Sequence, residues 1–232
     1  MAIAPLAPVQ SEREAAMYMD LSWGRGNQRG VAPASSSIVV FSAIDGVIRN
    51  SGDGDRALSL AAPPKLSGGG TKADDCHVAL DLLAAHGIPV VLVGHGSAAD
   101  VQHVQRELGF RHPFICLGGS SLYIPRGYFL ELDGLTSGDD EWEVFEFGAP
   151  DPARSIRLLT SLFSVKEQEV LTVGFACAWK DRALLSSVDV PIVVRTGSPE
   201  QDRLVRRLPG AYLTTAAGPA GMHEAIVGFP EV

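Results

Sequence analysis

The segment SIVVFSAIDGV, residues 37–47, joins an apolar run to a tight turn that carries a single carboxylate. Ile38 to Phe41 are all apolar and three of them are β-branched, the pattern of a strand buried on both faces in a parallel sheet. Gly46 lets the chain turn sharply, which leaves Asp45 just past the strand's C-terminal end. Open α/β sheets bind their ligands at that edge. Asp45 stands there alone, because the residue two positions earlier is Ala43.

Outward from this strand the chain alternates strands and helices. Asn50 to Gly70 holds GDGD, APP and SGGG and reads as a loop. Asp74 or Asp75 is placed to cap a helix with Cys76, Ala79, Leu80 and Leu83 on one face, closed by Gly87. Ile88 to Val93 is a second buried strand ending in Gly94-His95-Gly96. Ser97 and Asp100 then form a capping box for a helix with Val101, Val104 and Leu108 inward, ended by Gly109. Phe114 to Leu117 makes a third strand, and right-handed crossovers put these strands in one parallel sheet. Leu122–Pro125 and Tyr128–Leu132, flanking Arg126-Gly127, read as a hairpin. An acidic loop leads to Trp142–Phe147, and Asp151-Pro152 opens a helix with Ile156, Leu159 and Phe163 facing in. The alternation resumes with Glu169–Phe175, Val190–Val194, a helix boxed by Ser198 and Gln201, the strand Ala211–Thr214 and a last helix opened by Gly218-Pro219.

The 232 residues carry a net charge of −8, which argues against nucleic acid and anionic membrane as main partners, since both select basic surfaces. No apolar run approaches the roughly 18 residues needed to span a bilayer, and MAIAPLAPVQ lacks the n- and h-regions of a signal peptide. The 3 cysteines (Cys76, Cys116 and Cys177) are widely spaced, which suits reduced thiols and a cytoplasmic location. Residues 1–36 read as a flexible extension. Its one patterned piece, Ser11 to Leu21, sets Met17, Tyr18 and Met19 ahead of Trp23, and a sharper reading makes these the anchors of a short docking helix.

The order of these pieces resembles the haloacid-dehalogenase (HAD) phosphatase superfamily, and more narrowly the mannosyl-3-phosphoglycerate phosphatase family. The resemblance is carried by GIPVVLV (Gly87–Val93), RELGFRHPFI (Arg106–Ile115), LYIPRGYF (Leu122–Phe129), TVGF (Thr172–Phe175), VDVPIVV (Val188–Val194) and GPAGMHEAI (Gly218–Ile226). It implies a HAD-like Rossmannoid α/β fold: a three-layer α/β/α core with a parallel sheet, built from residues 37–119 and 164–232. Residues 120–163 would form a rudimentary, truncated cap.

The same resemblance assigns roles by position. The family's Asp-x-Asp pair supplies a nucleophile and a general acid/base. Ala43 stands at the lost nucleophile position and Asp45 at the residual acid/base position, with Val47 where the family has Thr. Gly94 occupies the place of a phosphate-holding hydroxyl or amide, so Gly94, His95 and Ser97 mark the phosphate or substrate pocket. The family's Gly-Asp-x-x-x-Asp motif, which supplies carboxylates for Mg²⁺, reads Ala176-Cys177-Ala178-Trp179-Lys180-Asp181. Cys177 replaces one carboxylate and Asp181 is the residual metal residue. The Lys motif after the family's cap has Lys166 as its nearest counterpart.

Three functions fit these residues. The first is a pseudophosphatase that binds a protein partner, self-associates or holds a ligand, with no cofactor expected. The second is a weak or altered Mg²⁺-dependent phosphatase on a phosphorylated sugar acid, using Asp45 and Asp181. In the third, His95, Cys177, Asp45 and Asp181 form a pocket for a transition metal or for thiol chemistry.

Overall fold

The computed structural model describes residues 38–49, 72–109, 111–129, 141–164 and 169–228. The expectations for residues 1–36, for the Asn50–Gly70 loop and for Lys166 lie outside them. Strand β1 (Ile38–Ala43) is buried at all six positions and lies in the middle of the sheet. It pairs in parallel with β2 (Val90–Val93) on one side and β6 (Leu171–Ala176) on the other. The full order is β5-β4-β3-β2-β1-β6-β7-β8, with β3 (Phe114–Cys116), β7 (Val190–Arg195) and β8 (Tyr212–Ala217) continuing the parallel block. A strand with neighbours on both sides and helices over both faces has no wet face, which is why its sequence does not alternate.

Helices α1 (Lys72–Ala85), α2 (Ala98–Leu108), α3 (Pro152–Phe163), α4 (Arg182–Leu185), α5 (Pro199–Arg207) and α6 (Pro219–Val227) complete the described elements. From β1 the chain crosses through α1 to β2 on one side, and from β6 through α4 to β7 on the other. Right-handed crossovers running in opposite directions put α1 and α4 on opposite faces. Helix α6 packs beside α1 and α3 beside α4, which gives the three layers of the expected α/β/α fold. Cys76, Ala79, Leu80 and Leu83 of α1 are all buried, as the 3.6-residue period predicts. The helix begins at Lys72, so Asp74 and Asp75 fall inside its first turn rather than at the cap. Ser97 and Asp100 do form the capping box of α2, and Gly109 ends that helix in the left-handed region at φ 72°. Ser198 caps α5 by accepting from the Glu200 N–H. Gln201, however, turns away from the expected box: its Nε2 donates to Val194 O and its Oε1 accepts from the Thr196 N–H.

The middle of the chain departs from its expected pairing. Strand β4 (Ser121–Pro125) runs antiparallel to β3, and its second neighbour is β5 (Trp142–Glu146), not Tyr128–Leu132. Tyr128 and Phe129 instead leave the sheet and pack edge-on against Phe163 of α3. Across the strands, Phe114 stacks on Tyr123 at 4.8 Å, and Trp142 meets Phe114 edge-on at 5.1 Å. The described residues between 120 and 163 thus contribute β4, β5 and α3 to the main sheet and its flank. Cys76, Cys116 and Cys177 are buried thiols, and burial pushes the Cys76 pKa up to about 12 and that of Cys116 to about 11. Among the described residues, no helix is long and apolar enough to cross a membrane.

The sheet's last strand is locked by one carboxylate. Glu224 of α6 accepts from the Thr215 N–H at 2.9 Å, the Ala216 N–H at 2.6 Å, the Thr215 hydroxyl at 2.6 Å and the Tyr212 hydroxyl at 3.0 Å. Desolvation pushes its pKa upward, but these donors outweigh that effect and bring it from about 4.5 down to about 2. A carboxylate depressed in the folded state stabilises fully above its unfolded pKa and loses that contribution as pH falls through the folded one. Glu224→Gln is therefore expected to cost about 1–2 kcal/mol at pH 7, a figure reduced for solvent screening, with the gap to wild type closing between pH 4.5 and 2. Urea denaturation at both ends of that range measures it, and an equal cost at pH 7 and pH 2.5 would refute the assignment.

Candidate functional site

Three loops meet at the C-terminal edge of the central strands. After β1 the chain makes one tight turn, in which the Ile48 and Arg49 N–H groups both donate to Ile44 O at 3.0 Å. Gly46 sits at φ 77°, a conformation open to glycine, and the turn projects the Asp45 side chain outward, 64% exposed. Ala43, the last residue of β1, is buried and brings no polar side-chain group to this edge.

After β2 comes Gly94, whose N–H donates to Ile115 O at 2.8 Å and whose carbonyl accepts from the Gly118 N–H at 3.1 Å. A Cβ at Gly94 would lie 2.7 Å from Val101 Cγ2 and 3.4 Å from Ile44 Cδ1. The room a threonine or serine needs here is filled by the buried Val101 of α2. Ser97 donates its hydroxyl to Asp100 Oδ2 at 2.7 Å and accepts from the Asp100 N–H at 3.4 Å. The Ser97 hydrogen bonds lead among Asp100's interactions and hold that carboxyl below the usual carboxylate range.

After β6 the chain passes Cys177 and Ala178 into a short turn, Trp179–Asp181. From it three contacts reach back to the other loops. Cys177 Sγ donates to the Asp45 backbone carbonyl at 3.2 Å, and Lys180 Nζ lies 3.3 Å from Asp45 Oδ2. His95 Nε2 is 2.7 Å from Oδ1 of Asp181, whose side chain is 3% exposed. Asp181 Oδ2 is buried and has no hydrogen-bond partner.

Of the residues marked in the sequence, the fold therefore joins Asp45 to Cys177 and His95 to Asp181. Ala43 and Gly94 line the same edge without a functional group, and Ser97 is engaged at its helix cap. Trp179 was not marked. Its ring carries the Arg182 guanidinium, three residues on, at 5.2 Å and the Arg203 guanidinium of α5 at 4.0 Å, and the second of these contacts joins separate elements that no local pattern links.

Mg²⁺ takes oxygen ligands in near-octahedral order. Here the Asp45 carbonyl is taken by a thiol, the Asp45 carboxylate faces an ammonium group, Asp181 Oδ1 is taken by His95, and Asp181 Oδ2 is buried. Among the described residues no three His, Cys, Asp or Glu side chains are grouped to hold a metal ion. This donor set does not fit Mg²⁺.

A mixed sheet with a parallel central block flanked by helices on both faces, with its crevice at the ends of β1, β2 and β6, is the architecture of HAD-like proteins, and this chain has a HAD-like α/β fold. Solved structures of that fold superpose on most of it. A haloacid dehalogenase-like hydrolase, yhjK, from Bacillus subtilis covers 88% of this chain and 92% of its own length, with a TM-score of 0.54 and 10% identity. The sucrose-phosphatase of Synechocystis, solved with sucrose and phosphate, covers 83% of this chain and 97% of its own length, with a TM-score of 0.52 and 12% identity. In sequence, the chain is 29% identical over 91 residues to a glucosyl-3-phosphoglycerate/mannosyl-3-phosphoglycerate phosphatase from Persephonella marina. That match spans 39% of this chain and 28% of the relative. No family model matches.

Proposed function

We propose that this chain is a catalytically degenerate HAD-type phosphatase homologue, a pseudophosphatase that works by binding a protein or ligand as a component of an assembly in the cytoplasm. The observation that carries the reading is that the groups left at the crevice bind one another. Cys177 and Lys180 engage Asp45, and His95 engages Asp181, while position 43 has no nucleophile. Phosphoryl transfer is catalysed almost entirely by positioning and charge neutralisation, so a site without nucleophile, metal ligands or phosphate clamp has little left to catalyse with. A HAD-like fold does not itself require phosphatase chemistry, because function resides in the site. Met17, Tyr18, Met19 and Trp23 of the N-terminal extension are the anchors offered to a partner or to a second copy.

The second reading is a weak or altered phosphatase on a phosphorylated sugar acid, with Asp45 as acid/base and Asp181 as a metal residue. It is favoured by the sequence match to a glucosyl-3-phosphoglycerate/mannosyl-3-phosphoglycerate phosphatase.

One experiment separates the two. Purified protein is assayed with Mg²⁺ on mannosyl-3-phosphoglycerate and on an aryl phosphate, beside an Asp45→Asn variant. In parallel, the full chain and a version starting at Ser35 are compared by light scattering and by co-purification from the native host. No hydrolysis, together with a complex lost on truncation, is the expected result. Metal-dependent turnover abolished by Asp45→Asn would overturn the proposal and establish the second reading.

A further inference from the structure

We propose that the outer face of α3, α4 and α5 is an interaction surface for an acidic segment of a partner protein, held by exposed arginines. The proposal goes beyond the reading above and does not rest on it, since a working phosphatase could carry the same face. The crossovers β6-α4-β7 and β7-α5-β8 run in one direction, which puts α5 on the same side of the sheet as α4 and α3. Helix α3 packs on β1, α4 on β6 and β7, and α5 on β7. Arg154 and Arg157 of α3, Arg182 of α4, and Arg203, Arg206 and Arg207 of α5 are all exposed. The acids within these three helices are Glu200 and Asp202, in the first turn of α5. None of the named arginines forms an ion pair among the described residues. The chain as a whole carries a net charge of −8, and α1, in the opposite layer, sets Asp74, Asp75 and Asp81 against Lys72. Positive charge is thus gathered on one layer of an acidic protein.

Helix energetics account for only part of this. Arg206 and Arg207 close α5, where the dipole favours cations. Arg154 stands in the first turn of α3, where the dipole favours acids, and Arg157 follows at a like-charge i,i+3 spacing that helices disfavour. Arg182 and Arg203 come from different helices yet share the Trp179 ring, at 5.2 Å and 4.0 Å. Two cations held beside one ring without a counter-charge repel each other, and an anion between them removes that repulsion. Stacking occupies the flat of a guanidinium and leaves its in-plane N–H fork free, so both forks are presented to carboxylates. A short acidic peptide segment fits this face better than nucleic acid does. The ring that would stack a base already carries Arg203, and a chain of net charge −8 repels a long phosphate backbone wherever that backbone runs past the arginines.

The test is the fluorescence anisotropy of a labelled oligoglutamate peptide titrated with the full chain at low salt, beside a labelled single-stranded oligonucleotide. Wild type is expected to bind the peptide, with an affinity that falls as salt rises. Arg182→Gln/Arg203→Gln should weaken binding about tenfold, and Arg154→Gln/Arg157→Gln, which leaves the Trp179 stack in place, about threefold. Arg182→Lys/Arg203→Lys keeps the charge but loses the planar forks, and should recover only part of the loss. Arg106→Gln, at an exposed arginine of α2 in the opposite layer, is the control and should match wild type. Circular dichroism identifies the folded variants, and the α3 double variant decides the matter if the Arg182/Arg203 variant does not fold. No peptide binding by wild type would refute the proposal, as would losses in the folded double variants no larger than that of Arg106→Gln. Tighter binding of the oligonucleotide than of the peptide, lost in the same variants, would also overturn it and assign the face to nucleic acid. Each of these outcomes leaves the pseudophosphatase reading standing, because none of them reads turnover.

Discussion

Restoring a carboxylate at position 43 is expected to leave the protein without phosphatase turnover. Ala43→Asp puts a carboxylate where the resemblance places the nucleophile of an Asp-x-Asp pair, yet phosphoryl transfer needs groups that the rest of the crevice does not offer. Asp45 is held by Lys180 and Asp181 by His95, at 3.3 Å and 2.7 Å. Position 94 has no hydroxyl to steady a phosphoryl oxygen, and the space for one is taken by Val101 Cγ2, which would lie 2.7 Å from a Cβ added there. Ordinary enzymes turn over about 1–10³ times per second; the variant should stay at the no-enzyme background, more than about 10⁴-fold lower. It should also be less stable. Ala43 is 3% exposed, so a carboxylate there is buried without a cation, at a cost of about 3 kcal/mol or more. A phosphate-release assay with Mg²⁺ or EDTA, and a urea melt, measure the two effects. Mg²⁺-dependent release by the single variant would show that the crevice was intact apart from its nucleophile.

Gly119→Ala should be the most damaging single methyl group in the described fold. Gly119 lies at φ 107°, which L side chains rarely adopt, and a Cβ there would run into the backbone of Asp151 and Pro152 at the start of α3. Neither partner can yield: Pro152 is the first residue of α3, and Asp151 caps the helix by accepting from the Ala153 N–H at 3.1 Å. The close approach is also used, since the Ser155 hydroxyl donates to Gly119 O at 3.3 Å. Backbone strain and collision together should cost about 3 kcal/mol or more, roughly 6–12 °C in melting temperature. Gly109→Ala is the control. Its φ is 72°, and nothing lies within 4 Å of the added Cβ, so it carries strain alone, about 1 kcal/mol. Equal losses for the two variants would refute the packing argument.

Much of the fold could be read from local pattern, because strands and helices report their burial through period. The unbroken apolar run of β1, the buried face of α1 and the Ser97–Asp100 box are each visible within a few residues of sequence, and each is present. Pairing in the middle of the chain is not. Arg126-Gly127 is a strong local turn signal, but β4 takes its partner from Trp142–Glu146, where the aromatic contacts of Phe114, Tyr123 and Trp142 lie. Burial on β5 also runs against residue type, with Glu143 at 2% and Val144 at 45% exposed.

For the crevice, the sequence by itself determined which residues stand at its edge: Ala43, Gly94 and Cys177 occupy the positions where the resemblance implies a nucleophile, a phosphate-holding side chain and a metal carboxylate. What those losses mean for the groups that remain was decided by tertiary structure. His95 and Asp181 are 86 residues apart and Asp45 and Lys180 are 135 apart, and they meet because β2 and β6 flank β1 with their ends on one edge. The filling of Gly94's space by Val101 belongs to the same kind of fact. Period and capping are short-range and leave their mark in adjacent residues, whereas contact between loops depends on strand order, which no local run of residues encodes.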